Sequence, residues 1–396
     1  MKTRTIQSTR LYHNIAGGDT IFNSQAAMLV FIVGVAFKLS ALPGVLNEEF
    51  GSSAFWAFLL YVAIDTILAV MIFSFCKRNG DALLVATNSA LYRIICLFIA
   101  IWLTFKGVFH FAYASSYLTH ELFEGLEPSL IYILFLLPVV YLGANGIRTI
   151  ARTSEVFFGL IFIFLAVNII FIETKMDFAR VLPVLSKEPS TLAATFPRYG
   201  IWLGDLTPFL FVRVKNKKLP YITIGVAGTF LILNLVALLG CAIYGDALKS
   251  VTDLFIRISG FNQLSKDVGR MEWTNLFGMI ASSIISLAFT YFGATSACKR
   301  AFKTSLPFKI MFPAVILACT LFIPSAQSVA KFAMGQVGYI AFALAIVLPA
   351  SVLALSSLKR KNLPHLSALL NEEYIVKVKA PVPNSRPATL FNASAK

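Results

Sequence analysis

Phe31-Ile-Val-Gly34-Val-Ala-Phe-Lys38-Leu-Ser-Ala-Leu-Pro43 and Tyr199-Gly-Ile-Trp-Leu-Gly204-Asp205-Leu-Thr-Pro208-Phe-Leu are two apolar runs interrupted in their middles. Each places a charge, a glycine and a proline where a membrane-spanning helix would have its apolar centre. On insertion scales a charge at that depth costs about 2.5–3.5 kcal/mol. In a helix interior glycine costs about 1 kcal/mol and proline about 3 kcal/mol. Irregular backbone at membrane depth persists only where protein buries it or where it lines a cavity. Either segment alone reads as a simple kink. Two of them, with charges beside both, predict a shared central site.

Composition supports the membrane reading. Mean hydropathy is +0.77, with 58% hydrophobic and 13% charged residues, against roughly 45–50% and 25% in globular domains. Residues 1–23 are polar and mildly basic, without the short apolar core and small-residue cleavage site of a signal peptide, so the first apolar segment is expected to stay in the mature chain. Windows of about 20 apolar residues suit a hydrocarbon core about 30 Å thick. They predict ten spans at 24–47, 53–75, 91–117, 129–145, 154–172, 192–213, 219–243, 270–297, 307–325 and 332–357.

The distribution of basic residues tests that count, because cytosolic loops carry an excess of Lys and Arg. With the N-terminus placed in the cytosol, 23 of the 34 Lys and Arg fall inside, nine fall outside, and Lys38 and Lys106 lie within spans. The first two outside loops offer Glu48, Glu49, Glu121, Glu124 and Glu127 and no basic residue. Both termini are therefore expected in the cytosol. The net charge of +15 is mostly topogenic and does not indicate a nucleic-acid partner. The Arg213–Lys218 run reads as a cytosolic anchor.

Ten spans divide into five and five, across the long external loop 173–198. Because five is odd, a second repeat must enter the membrane from the opposite face. The predicted fold is an all-α membrane protein with repeats 24–172 and 192–357 in a 5+5 inverted, LeuT-like arrangement. Residues 1–23 form a cytosolic segment, and 358–396 form a cytosolic tail that reads as largely disordered. The two interrupted segments then become spans one and six, and Gly/Pro-broken segments in matching halves point to a central site. At such a break, half-helix N-termini favour a carboxylate and C-termini a cation, a pattern that suits a zwitterion such as an amino acid. Gly34 and Gly204 are expected to approach each other across a cavity. The ligand-binding candidates are Gly34, Val35, Ala36, Lys38, Gly204, Asp205 and Thr207.

Four ionisable residues sit near the predicted midplane: Lys38, Asp65, Lys106 and Asp205. Such groups normally pair or face a cavity. Spacing alone does not say which acid meets which lysine. Structural ion pairs, proton coupling or gating, and direct ligand contact are all open to them. Asp205 leads because it lies at the break. His110, one helical turn beyond Lys106 on the same face, extends a proton-coupling set of Asp65, Lys106, His110 and Asp205. Span eight carries a small-residue stripe of Gly278, Ala281, Ser282, Ser283, Ser286 and Gly293, which reads as close helix packing. Arg270 and Glu272 read as interfacial.

Other chemistry is not legible. Five scattered cysteines make neither a disulfide framework nor a metal-binding spacing. There is no phosphate loop, His-Glu-x-x-His or nucleophile elbow, so neither enzyme, metal nor cofactor is expected. Asn392-Ala-Ser394 is a formal glycosylation sequon in the predicted cytosolic tail, where the modification is not expected.

Several stretches resemble the spore germination permeases, the polytopic B-type subunits of nutrient germinant receptors within the amino acid/polyamine/organocation superfamily. These are Ser24-Gln25, Gly34 to Leu42-Pro43, Trp56, Leu182-Pro183 and Gly204-Asp205, with Gly146-Ile-Arg-Thr-Ile-Ala151-Arg152-Thr-Ser-Glu155 the most specific. The likeness spans roughly residues 24–357. It implies a multi-pass subunit that senses a small nutrient, such as an amino acid, and works with two other types of receptor subunit in a spore's inner membrane. The alternative it implies is a proton-coupled amino acid permease. Two features depart from the family: Lys38, which puts a cation where the ligand's backbone groups would lie, and the long tail; Asp205 fits, although a glutamate is more usual at that position.

Overall fold

A computed structural model of the chain describes residues 20–363, except 78–79, 120–122, 124–125, 173–175, 182–188, 216–218, 251–253, 255–256, 259–271 and 323–325. The sequence-based readings of residues 1–19, Glu121, Glu124, Leu182-Pro183, Arg270 and the tail beyond Leu363 lie outside the described residues.

The described chain is almost entirely helical. In order, it contains strand β1 (Thr20–Ile21), α1 (Asn23–Phe50), α2 (Ala54–Lys77), the short α3 (Gly80–Thr87), α4 (Ala90–Tyr117), α5 (Pro128–Ala144), α6 (Ile147–Ile172) and α7 (Pro189–Thr195). Two 3-10 turns follow, Phe196–Trp202 and Thr207–Phe211, then β2 (Arg213–Val214), α8 (Leu219–Tyr244), α9 (Glu272–Phe302), α10 (Leu306–Leu321), α11 (Ala326–Ala333) and α12 (Gln336–Asn362). Among the described residues, five helical stretches are long and apolar enough to cross a membrane: Trp56–Lys77, Ala90–Ser116, Tyr221–Tyr244, Leu276–Phe302 and Gln336–Asn362. The bent pair Asn23–Leu39 and Leu42–Phe50 supplies a sixth, and α5 and α10 are shorter apolar helices. The helix overlapping the fifth predicted window begins at Ile147, not at residue 154.

The first interruption is a bend of 50° between Leu39 and Leu42. Its cause is Pro43, which has no N–H for the Leu39 carbonyl and whose ring crowds that carbonyl. Gly34 is not the breaking point. It lies inside α1, where a Cβ would come within 2.6 Å of Thr229 Oγ1 on α8, so it serves a close helix crossing.

The second interruption goes further than a broken helix. Residues 196–211 contain no α-helix: two 3-10 turns, each with a proline in its first positions (Pro197 and Pro208), flank the non-helical Leu203–Leu206. Leu203 is extended and Gly204 has φ +77°, a left-handed conformation that glycine adopts without a Cβ penalty. Neighbours hold this irregular stretch. Gly200 and Gly338 bring the first turn against α12 backbone to backbone, since a Cβ on Gly338 would fall 1.8 Å from the Arg198 carbonyl oxygen. The second turn is wedged between α2 and α9 by Phe209, whose ring lies 5.1 Å from Phe73 and 4.8 Å from Phe289.

Helix α9 is the most enclosed of the five long spans. Ser282, Thr290 and Thr295 are buried and return their hydroxyls to carbonyls three or four residues earlier. That satisfies them without a partner helix and leaves a surface small enough for close contact. Gly293 receives Pro208 and Leu103, and Tyr291 fits over Gly143 of α5. At one end of the bundle β1 and β2 pair in parallel, Thr20 with Arg213 and Ile21 with Val214, and the Lys215 N–H donates to the Ile21 carbonyl at 2.8 Å. The start of the first interrupted segment is thus tied to the end of the second.

Candidate functional site

Three helices and the irregular stretch bring together the four charges that the sequence predicts near the midplane. Lys38 stands on α1 just before its bend, Asp65 on α2, Lys106 on α4, and Asp205 between the two 3-10 turns. Lys38 bridges the two acids: its ammonium pairs with Asp65 and lies 3.2 Å from Asp205 Oδ2. Lys106 lies 2.6 Å from Asp205 Oδ1 and also donates to the Leu203 carbonyl oxygen. The result is a continuous alternating row, Asp65–Lys38–Asp205–Lys106.

Burial explains why the row must alternate. Lys38, Lys106 and Asp205 are all below a tenth exposed. Removing an ion from water costs several kcal/mol even after relaxation, and only a well-placed counter-charge offsets it. Two cations and two anions sum to zero, so each charge has an opposite neighbour. Asp65, the least enclosed member at 14% side-chain exposure, forms one end of the row.

Aromatic rings pack beside the charges. Phe37 stacks on His110 with ring centres 4.7 Å apart, and lies 5.9 Å from Trp202 and 6.2 Å from Tyr113. The Lys38 ammonium sits 5.6 Å from the Tyr61 ring centre, and the Tyr61 hydroxyl donates to the Tyr199 carbonyl at 3.4 Å. His110 Nε2 and Trp202 Nε1 are buried and meet no hydrogen-bond partner among the described residues. Of this layer the sequence singles out only His110, because Phe37, Tyr61 and Trp202 are scattered among many apolar positions.

The remaining sequence candidates take different places. Thr207 donates its hydroxyl to the Gly204 carbonyl at 2.7 Å, closing its own turn. Gly204 abuts α12, with its absent Cβ 3.2 Å from that of Ala345. Val35 and Ala36 are buried in α1 within one turn of Lys38, and Gly34 is filled by Thr229. Sequence reasoning missed the Leu203 carbonyl, and only the extended backbone there makes it available. Among the described residues no three or more His, Cys, Asp or Glu side chains converge as metal ligands.

A second buried ion pair lies toward the β1–β2 end. Arg300 at the end of α9 engages Asp81 of α3 through Nε at 3.2 Å and Nη2 at 2.9 Å, and the Tyr92 hydroxyl donates to the same carboxylate at 2.5 Å. Burial alone would raise the Asp81 pKa, but the charge and hydrogen bond of Arg300, together with the Tyr92 hydrogen bond and the more distant Arg213, outweigh it and hold the carboxyl below its usual range. In the sequence Arg300 counts only as one more cytosolic basic residue.

The sequence profile described as "Spore germination protein" matches residues 20–330. The chain belongs to the spore germination permease family. The family and fold are those of permeases, not of enzymes, and the chain is a multi-pass membrane protein of transporter type. A Na+-coupled sialic acid symporter, in a substrate-bound outward-open state, is similar at TM-score 0.52 and 13% identity, over 87% of this chain and 79% of that one. MhsT in complex with L-phenylalanine is similar at TM-score 0.50 and 16% identity, over 83% and 88%. At such identities the likeness speaks to fold alone, and that fold is the LeuT type. No curated protein matches the chain in sequence. Two stretches that carry the family resemblance meet in space: Gln25 Nε2 of this permease donates to Glu155 Oε2 at 3.1 Å.

Proposed function

We propose that this permease is the transporter-fold membrane subunit of a spore nutrient germinant receptor. It binds a small nutrient, such as an amino acid, near the bilayer midplane and relays the binding to companion subunits in the inner membrane of the spore. Ten spans in a 5+5 inverted repeat, with both termini cytosolic, are the arrangement in which the two interrupted segments face each other. The observation that carries the reading is the convergence of Lys38 and Lys106 on Asp205 at the irregular stretch, with Asp65 paired to Lys38. A ligand with separated charges exchanges for one of these pairs, and each exchange shifts α1, α2 or α4 relative to the break. Gly34, Val35, Ala36, Gly204 and Thr207 provide the backbone around that exchange, and His110 extends the proton-responsive set.

A proton-coupled amino acid permease is the second reading. It is supported by two carboxylates, the partly enclosed Asp65 and the buried Asp205, each held by a lysine that a transferred proton would release. Uptake of radiolabelled amino acids into proteoliposomes under an imposed pH gradient separates the two. Saturable binding without accumulation is expected for the receptor; robust accumulation overturns it in favour of the permease. Asp205→Asn is expected to abolish the germination response when compared at matched levels of folded protein, and a normal response in that variant removes Asp205 from the site.

A further inference from the structure

The two lysines of the row are held by different sets of acceptor oxygens. Lys38 sits between two carboxylates. Lys106 sits between one carboxylate oxygen, Asp205 Oδ1, and one backbone carbonyl, Leu203 O, which the extended conformation at Leu203 has freed from helical bonding. Hard cations take oxygen ligands of this kind, and unwound backbone carbonyls at a helix break are a membrane protein's usual means of coordinating a small monovalent ion. A lysine ammonium is a compact point charge on a four-carbon stem. Here it arrives from α4, is 2% exposed, and cannot diffuse away.

We propose that the Lys106 ammonium is a built-in cation occupying a monovalent-cation site formed by Leu203 O and Asp205, so that the protein needs no bound sodium or potassium ion. The charge count follows from this assignment. With Lys106 in place the row is neutral; a metal ion added beside it leaves one buried positive charge in excess. A metal ion in its absence restores the same total. Lys106 is therefore a positioning residue that holds the break in one geometry permanently, where a dissociable ion would hold it only when bound. The inference rests on the break being the functional centre. Its test uses no nutrient, so its failure is distinct from failure of the receptor reading.

The test is thermal unfolding of the purified full-length protein in sodium chloride and in choline chloride at equal ionic strength, together with binding of radioactive sodium. Wild type is expected to unfold at the same temperature in both salts and to bind no sodium saturably. Lys106→Ala is expected to gain a saturable response to sodium or methylammonium, a rise of roughly 2–4 °C over choline. Saturable sodium binding by wild type overturns the proposal, as does a folded Lys106→Ala protein indifferent to both cations. Where Lys106→Ala does not fold even in sodium, no ion has taken the place of the ammonium and the proposal is overturned. Lys106→Ala with Asp205→Asn then separates an orphaned carboxylate, for which folding recovers, from lost packing, for which it does not.

Discussion

The Asp205 carboxylate lies 2.6 Å from the Lys106 ammonium, joining the irregular stretch to α4 with both groups buried. Asp205 also faces Lys38 through its other oxygen. Two lysines thus depend on Asp205, whereas one depends on Asp65.

That difference ranks the single neutralisations. Asp205→Asn leaves Lys106 with only a carbonyl and is expected to cost about 3–5 kcal/mol, the range for orphaning a buried charge. Asp65→Asn leaves Lys38 with Asp205 and is expected to cost less. The measurement is thermal unfolding in detergent, and the reverse order would show that Asp205 is not the hub of the row.

The pairing itself is testable by a double-mutant cycle. Lys38→Met with Asp65→Asn removes opposite charges together, and its destabilisation is expected to fall short of the sum of the single changes by about 0.5–3 kcal/mol. Strict additivity would mean that the two residues do not interact.

Backbone proximity at the break sets a steric limit. Gly338→Ala forces apart α12 and the Phe196–Trp202 turn, because its Cβ would stand 1.8 Å from the Arg198 oxygen. Loss of folded protein is expected. Gly159→Ala in α6, with nothing within 4 Å of the new methyl, is expected to be neutral or to gain up to about 1 kcal/mol from helix propensity. Size-exclusion profiles of the two variants, compared side by side, check the contrast.

The Asp81–Arg300 pair predicts a pH window. Since Arg300 holds the Asp81 carboxyl below its usual value of 3.8, the pair's contribution is complete above that value and is lost as pH falls through the lowered one. The stability difference between wild type and Asp81→Asn is therefore expected to stay flat from about pH 8 to 5 and to shrink only in stronger acid. A difference that already declines between pH 7 and 6 would mean that some other group controls it.

The membrane class, the long apolar helices that the described residues contain and the two interruptions were legible in the sequence, because hydropathy is a property of the chain itself. Gly204 and Asp205 were legible for the same reason: a φ-permissive residue and a charge are conspicuous against an apolar background. The exact position of the first bend was less so. Gly34 and Pro43 are both helix-disfavouring residues, and only packing shows that Gly34 is filled by Thr229 while the chain bends at Leu39–Leu42. The second interruption looked like a broken helix and is a pair of 3-10 turns, since proline and glycine density alone does not say how much of the backbone neighbours will hold out of helical form.

The sequence by itself determined that four charges at membrane depth had to be compensated, because the cost of an isolated ion in a low-dielectric medium is independent of fold. It left their pairing open, since Lys38, Asp65, Lys106 and Asp205 are separated along the chain by far more than a helical turn. Tertiary structure alone decided the order Asp65–Lys38–Asp205–Lys106 and recruited the Leu203 carbonyl as the last acceptor. Its physical reason is geometric: ion pairing falls off over a few ångströms, and only the crossing of α1, α2 and α4 at the irregular stretch sets those distances.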